Sequence, residues 1–159
     1  MKIGITGHQR LDDPSSWSWV QSEIDRILVA AKPVIGFSSL AIGADQLFAR
    51  TVLEQGGKLV VIVPFDGYEA VFETEAGRRE YTRLLDAASE REVLEQTGSR
   101  EDAYLLAGHR IVDRAEQLIA IWDGQPAGGL GGTADIVHYA TKQGRHLIHL
   151  NPMNLTVRS

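Results

Sequence analysis

Leu118-Ile119-Ala120-Ile121-Trp122, the loop Asp123–Gly132 and the helix-like run Ala134–Lys142 together decide the fold. The first five residues are an unbroken apolar run, as in a strand covered on both faces. The loop then ends in Gly128-Gly129-Leu130-Gly131-Gly132-Thr133-Ala134-Asp135, with four glycines in five positions. A strand, a glycine-rich turn and a helix in succession form the repeating unit of a parallel sheet flanked by helices. Bare backbone at Gly129, Gly131 and Gly132 can offer several N–H groups to a phosphate, while Thr133 caps the helix and adds a hydroxyl. The alternative is a merely flexible loop. Against it, the glycines stop where the helix begins and a threonine follows.

The same alternation extends outward in both directions. Strands are expected at Lys2–Thr6, Val34–Phe37, Leu59–Val63, Leu118–Trp122 and His146–Leu150. Helices are expected at Ser16–Ala31, Gly43–Gln55, Glu75–Glu95, Asp102–Arg114 and Ala134–Lys142, with Pro64–Glu73 as loop. Residues 66–101 form an insertion-like charged segment. The expected architecture is therefore α/β: a single Rossmann-like domain over 1–159, doubly wound, with a mainly parallel sheet of about five strands. Ligands of such sheets sit outside the carboxyl ends of the strands, where the strand order reverses. That singles out three loops, Gly7–Ser15, Ser38–Gly43 and Asp123–Thr133.

In the first loop, Gly7 permits a sharp turn close to a ligand. Thr6 and His8 bring side-chain donors, and Arg10 is either a phosphate partner or a solvated arginine. In the second, Ser38, Ser39 and the helix start at Gly43 suit an anion. Asp45, in the first helical turn, either caps the helix or accepts from a ribose hydroxyl or a base. In the third, Asp135 lies one turn into its helix and is able to face the same pocket. His109 and Arg110 sit on the preceding helix, within reach of the ligand or on a solvated face. Trp122 either stacks on a base or covers the sheet edge. His138, His146 and His149 lack metal-ligand spacing and carboxylate company, so no metal site is expected.

The chain has 159 residues, 43% of them hydrophobic, and no cysteine, which excludes disulfides and thiolate metal sites. No window approaches the roughly 18 consecutive apolar residues of a membrane span, and the start MKIGIT does not read as a secretory signal. A cytoplasmic location is expected, with no membrane partner. The net charge is −5, and no run of lysine or arginine exceeds Arg78–Arg79. A duplex-binding face needs a basic stripe, so nucleic acid is not the expected partner. A small phosphorylated ligand needs only backbone amides and a helix start.

Thr6-Gly7-His8, Gly36-Phe37-Ser38-Ser39-Leu40-Ala41-Ile42-Gly43-Ala44-Asp45 and Gly131-Gly132-Thr133-Ala134-Asp135 occur in the order typical of the SLOG superfamily, which the chain resembles over nearly its whole length. That group includes the DNA-processing SMF domain, the LOG (lysine-decarboxylase-like) phosphoribohydrolases, the YpsA-like proteins and the nucleotide-sensing domain of TRPM channels. Ser38–Lys58 is similar to the SMF pattern, and Ile111–Ala140 looks closer to the LOG and YpsA-like members. The resemblance implies a Rossmann-like fold that binds a nucleotide or nucleotide-derived ligand, as a sensor or in a nucleotide-linked pathway, without a resident cofactor. For the LOG branch it also implies hydrolysis of an N-glycosidic bond, or a related deoxyribosyl transfer. Asp135 would then be the central carboxylate, in place of a glutamate. The helper arginine's position holds Ala107, leaving His109 or Arg110 to act from nearby. The SMF branch implies single-stranded DNA, and the LOG-like relatives imply a homodimer or higher homo-oligomer.

Overall fold

The computed structural model describes residues 1–126 and 132–159. Among them the chain runs β1 (Lys2–Gly7), α1 (Ser16–Ala31), β2 (Ile35–Ser38), α2 (Ala44–Glu54), β3 (Lys58–Val63), a 3-10 turn (Tyr68–Val71), α3 (Glu75–Ala87), β4 (Glu90–Val93), α4 (Arg100–Arg114), β5 (Gln117–Ile121), α5 (Thr133–Lys142), β6 (His146–Asn151) and β7 (Thr156–Arg158). The strands form one sheet in the order β4-β3-β2-β1-β5-β6-β7. All neighbours are parallel except β6 and β7.

The α/β class and the doubly wound winding are as the sequence indicates; the strand number is not. The sheet has seven strands rather than about five. One added strand, β4, replaces the end of the helix expected over Glu75–Glu95. That helix stops at Ala88, and the Ser89 amide and hydroxyl both donate to the Leu59 carbonyl, at 2.8 and 3.0 Å, drawing the chain onto β3. Its sequence, Glu90-Arg91-Glu92-Val93, reads as solvated helix, but charges also protect a sheet edge from pairing with another chain. Arg110 and Arg114 of α4 pair with Glu92 and Glu90 along it. The other addition, β7, pairs antiparallel with β6 through three residues, too short a run to stand out in the sequence.

Alternation along the strands divides the core between two faces. Ile3, Ile5, Ile119, Ile121 and Leu150 pack against Val20, Ile24 and Leu28 of α1 and Phe48 and Val52 of α2. On the opposite face Phe37, Val60, Ile62 and Leu118 meet Ala107, Ile111 and Val112 of α4 and Ile136 and Ala140 of α5. A third cluster joins Leu59, Val61 and Val63 to Phe65, Tyr68, Tyr81 and Leu84 beside β4. Each fully buried large side chain of this kind contributes about 2 kcal/mol of transfer free energy. Helix starts are fixed locally. Ser99 and Asp102 form a reciprocal capping box at α4, and the Thr74 hydroxyl accepts from the Gly77 amide at α3. Among the described residues no helix is long and apolar enough to cross a membrane.

Candidate functional site

The chain leaves β1 toward β2, β3 and β4, then returns to β5 on the other side of β1. The carboxyl ends of β1 and β5 therefore diverge, which opens a crevice. A cavity of about 530 Å³ occupies it, within the range of small-ligand sites.

Two glycines allow the backbone to close this tightly. A Cβ on Gly7 would stand 2.7 Å from the Cβ atoms of both Ala44 and Ile121, so only glycine lets β1 end between α2 and β5. Gly43 has φ +82°, and a Cβ there would strike the Gln9 carbonyl. The first two loops are thereby sewn together, and the Ala44 amide donates to the His8 carbonyl at 3.2 Å.

Of the residues singled out from the sequence, Thr6, Gly7, His8, Arg10, Ser39, Asp45, Gly132 and Thr133 line this one cavity. Ser38 lies beneath it, fully buried; its hydroxyl accepts from the Leu40 amide at 3.0 Å and donates to the Asp45 carbonyl at 3.3 Å. Gly43 shapes the turn without lining the space. Gly132 takes the cap position of α5 that the sequence assigns to Thr133, and Thr133 is the first helical residue. Asp135 is not among the lining residues, although its neighbours Ala134 and Ile136 are. Arg110 is held elsewhere: its guanidinium grips Glu92 by bonds of 2.7 and 3.1 Å on the β4 side. His109 stacks on Tyr139 at 3.8 Å, and burial holds its imidazole below the usual range. Gly129 and Gly131 lie outside the described residues.

Asp45 lines the cavity from the first turn of α2, with only 9% of its surface exposed. Its carboxyl accepts from the amide of Ala41 at 3.3 Å. Burial outweighs hydrogen bonding and pushes it up to about 7. Beside it, the Tyr68 phenol is held well above its ordinary value, first by burial and then by the charge of Asp45. The Ser39 hydroxyl is buried without a hydrogen-bond partner.

The opposite rim is built on one peptide plane. The Asp123 amide donates to Nε2 of His8 at 3.1 Å, and Nε2 of His149 meets the Trp122 carbonyl at 2.7 Å. The Asp123 carboxylate is also 3.4 Å from His8, but its Oδ1 accepts from the Gln125 amide at 2.9 Å. We therefore assign His8 Nε2 as the acceptor and His149 Nε2 as a donor. The Trp122 indole donates to the Gln125 carbonyl and contacts the His149 ring.

Sequence reasoning overlooked the aromatic wall. Tyr68 and Phe72, from the stretch assigned to loop, and Tyr104 of α4 line the cavity with Pro64 and Val71. Tyr68 meets Phe72 edge to face at 5.3 Å and Tyr104 at 6.3 Å. The signal was the concentration of Phe65, Tyr68 and Phe72 within eight residues that also hold Asp66 and Glu69. Among the described residues no group of three His, Asp or Glu side chains could hold a metal ion.

No protein-family model matches the chain, and no curated protein does. Solved structures do. DNA processing protein A from Streptococcus pneumoniae superposes with a TM-score of 0.66 at 16% identity, covering 94% of this chain and 50% of that one. Its counterpart from Helicobacter pylori, which has a single-stranded DNA binding mode, gives 0.67 at 14% identity, covering 95% and 65%. The molybdenum cofactor binding protein of Rippkaea orientalis gives 0.61 at 16% identity, covering 94% and 76%. These likenesses show a Rossmann-like fold. The present chain thus spans between half and two thirds of the length of the two DNA processing proteins. Its crevice lies where sheets of this fold hold ligands, and the likeness itself concerns the fold alone.

Proposed function

We propose that the chain binds a small nucleotide or nucleotide-derived ligand in the crevice between β1 and β5. One observation carries this reading. A single preformed cavity of about 530 Å³ combines an aromatic wall with a helix start, a threonine and an arginine. Tyr68, Phe72 and Tyr104 suit a flat heterocycle, while Gly132, Thr133 and Arg10 suit a phosphate. Two neighbours of the same fold, the Rippkaea protein and the Moco carrier protein of Chlamydomonas, are named for a bound molybdenum cofactor, which fits a ligand-holding role for this crevice.

Turnover is the weaker reading, because Asp135 does not line the cavity and Arg110 is committed to Glu92. Single-stranded DNA, the ligand of the Helicobacter protein, faces a net charge of −5 here. A homodimer, as the sequence resemblance implies, belongs to this proposal as well.

The test is a thermal-shift screen of nucleoside mono-, di- and triphosphates, followed by calorimetry of each hit on the wild type and on Thr133→Val. A true ligand raises the unfolding temperature in proportion to occupancy, and the variant weakens it several-fold. If no nucleotide at millimolar concentration shifts the transition, the reading is wrong. Native mass spectrometry of the same sample gives the subunit number.

A further inference from the structure

The cavity meets two helix starts, and the protein fills one of them itself. At α2 the Ala41 amide points to the Asp45 carboxyl, the Ala44 amide to the His8 carbonyl and the Gln46 amide to the Ala41 carbonyl. An incoming phosphate would find those donors taken and a carboxyl in its place. At α5 the cap residue is Gly132, which brings no side chain to the first turn, and Thr133 lies on the lining.

We propose that the Ser39–Asp45 end is a base subsite, selective for a heterocycle edge that places an amino group beside a ring-nitrogen acceptor, as in adenine and cytosine. The ligand then lies with its anionic end toward α5 and its base toward α2. This inference rests on the nucleotide reading of the same cavity.

Three observations converge on it. Asp45 is nine-tenths buried yet lines the cavity, so its carboxyl can accept from an amino N–H there. Ser39 is on the lining, and its hydroxyl is buried there without a partner; a ring nitrogen that reaches it and accepts from it would satisfy a group that otherwise costs stability. Tyr68, close enough to Asp45 to feel its charge, joins Phe72 and Tyr104 in an apolar wall against which the ring can lie. A hydroxyl donor beside a carboxyl acceptor is complementary to an amino-bearing edge and mismatched to an oxo-bearing one.

The experiment is calorimetry at pH 8, where the Asp45 carboxyl is mostly ionised and accepts, with AMP, CMP, IMP, UMP and ribose 5-phosphate on the wild type, Ser39→Ala and Asp45→Asn. AMP or CMP should bind roughly tenfold more tightly than IMP or UMP, the worth of one or two well-made hydrogen bonds. Ser39→Ala should erase most of that preference and leave ribose 5-phosphate binding as it was. Asp45→Asn, which presents an N–H where the carboxyl accepted, should move the preference toward IMP or UMP. Ser39→Ala tests the proposal even if the aspartate variant folds poorly. Equal binding of all four bases, tighter binding of IMP or UMP to the wild type, or a preference untouched by Ser39→Ala overturns the base subsite while ribose 5-phosphate binding keeps the nucleotide reading intact. Failure of every probe, ribose 5-phosphate included, overturns both.

Discussion

Replacing Asp45 by asparagine should make the protein more stable above neutral pH, and the gain should vanish in mild acid. Burial pushes the Asp45 carboxyl up to about 7 from an ordinary 3.8, so the folded state holds its proton through a window in which the unfolded chain has released it. Stability contributed by that proton is fully present below about 4, declines as the pH rises through 7, and is gone above. The difference between the two values corresponds to at most about 4 kcal/mol, since each pH unit is worth about 1.4 kcal/mol. Asparagine keeps the size and one acceptor but carries no charge. It gives back about 1 kcal/mol if it turns its amide nitrogen toward Ala41 and leaves that N–H unsatisfied. The measurement is urea unfolding of both proteins at pH 4.5, 6 and 8. The stability of Asp45→Asn relative to wild type should climb by about 2–4 kcal/mol across that series. Other carboxylates, such as Glu80, which is held down first by its bond to Arg83, are present in both proteins and cancel in the difference. A difference that stays flat with pH would show that Asp45 is ionised throughout and that hydrogen bonding outweighs burial.

Further consequences are as direct. Gly43→Ala puts a Cβ into the Gln9 carbonyl at φ +82°; it should cost at least about 2 kcal/mol in urea unfolding, and a neutral result would mean the turn can relax. Glu73→Gln frees Arg10 from an exposed partner 3.4 Å away, and calorimetry should show anionic ligands binding a few-fold more tightly; weaker binding would place Glu73 itself on the ligand. Arg110→Ala removes an exposed pair with Glu92 on the β4 side, so nucleotide affinity should be unchanged and the unfolding midpoint should move by only a few degrees. A large loss of affinity would bring Arg110 into the crevice.

What was legible in the sequence follows from burial. Leu59–Val63 and Leu118–Ile121 are covered on both faces, so their apolar runs are continuous and their strand character is plain. β4 was hidden because an edge strand obeys a different rule. Its charges answer to solvent, to Arg110 and to Arg114, and are locally indistinguishable from an exposed helix. The site was legible where backbone geometry dictates composition, as at Gly7 and Gly43. It was opaque where distant segments meet. Tyr68, Phe72 and Tyr104 look like ordinary core aromatics, and only the return of the chain from β4 through α4 to β5 brings them onto one cavity with Thr133. Asp45 illustrates a third case: the sequence leaves capping and ligand contact open, and the structure sets its carboxyl on the Ala41 amide in a residue that also lines the cavity.

The peptide joining Trp122 to Asp123 is gripped by an imidazole at each of its two polar ends. Because carbonyl and amide belong to one rigid plane, turning that plane about the chain axis must release both imidazoles together. The exit of the chain from β5 is thus a pinned pivot rather than a frayed strand end. His8 then carries its proton on Nδ1 and leaves Nε2 bare, while His149 carries a proton on Nε2. A nitrogen-15 spectrum of the imidazoles would show a bare Nε2 in one ring and a protonated Nε2 in the other, and so report the orientation of this one plane in solution.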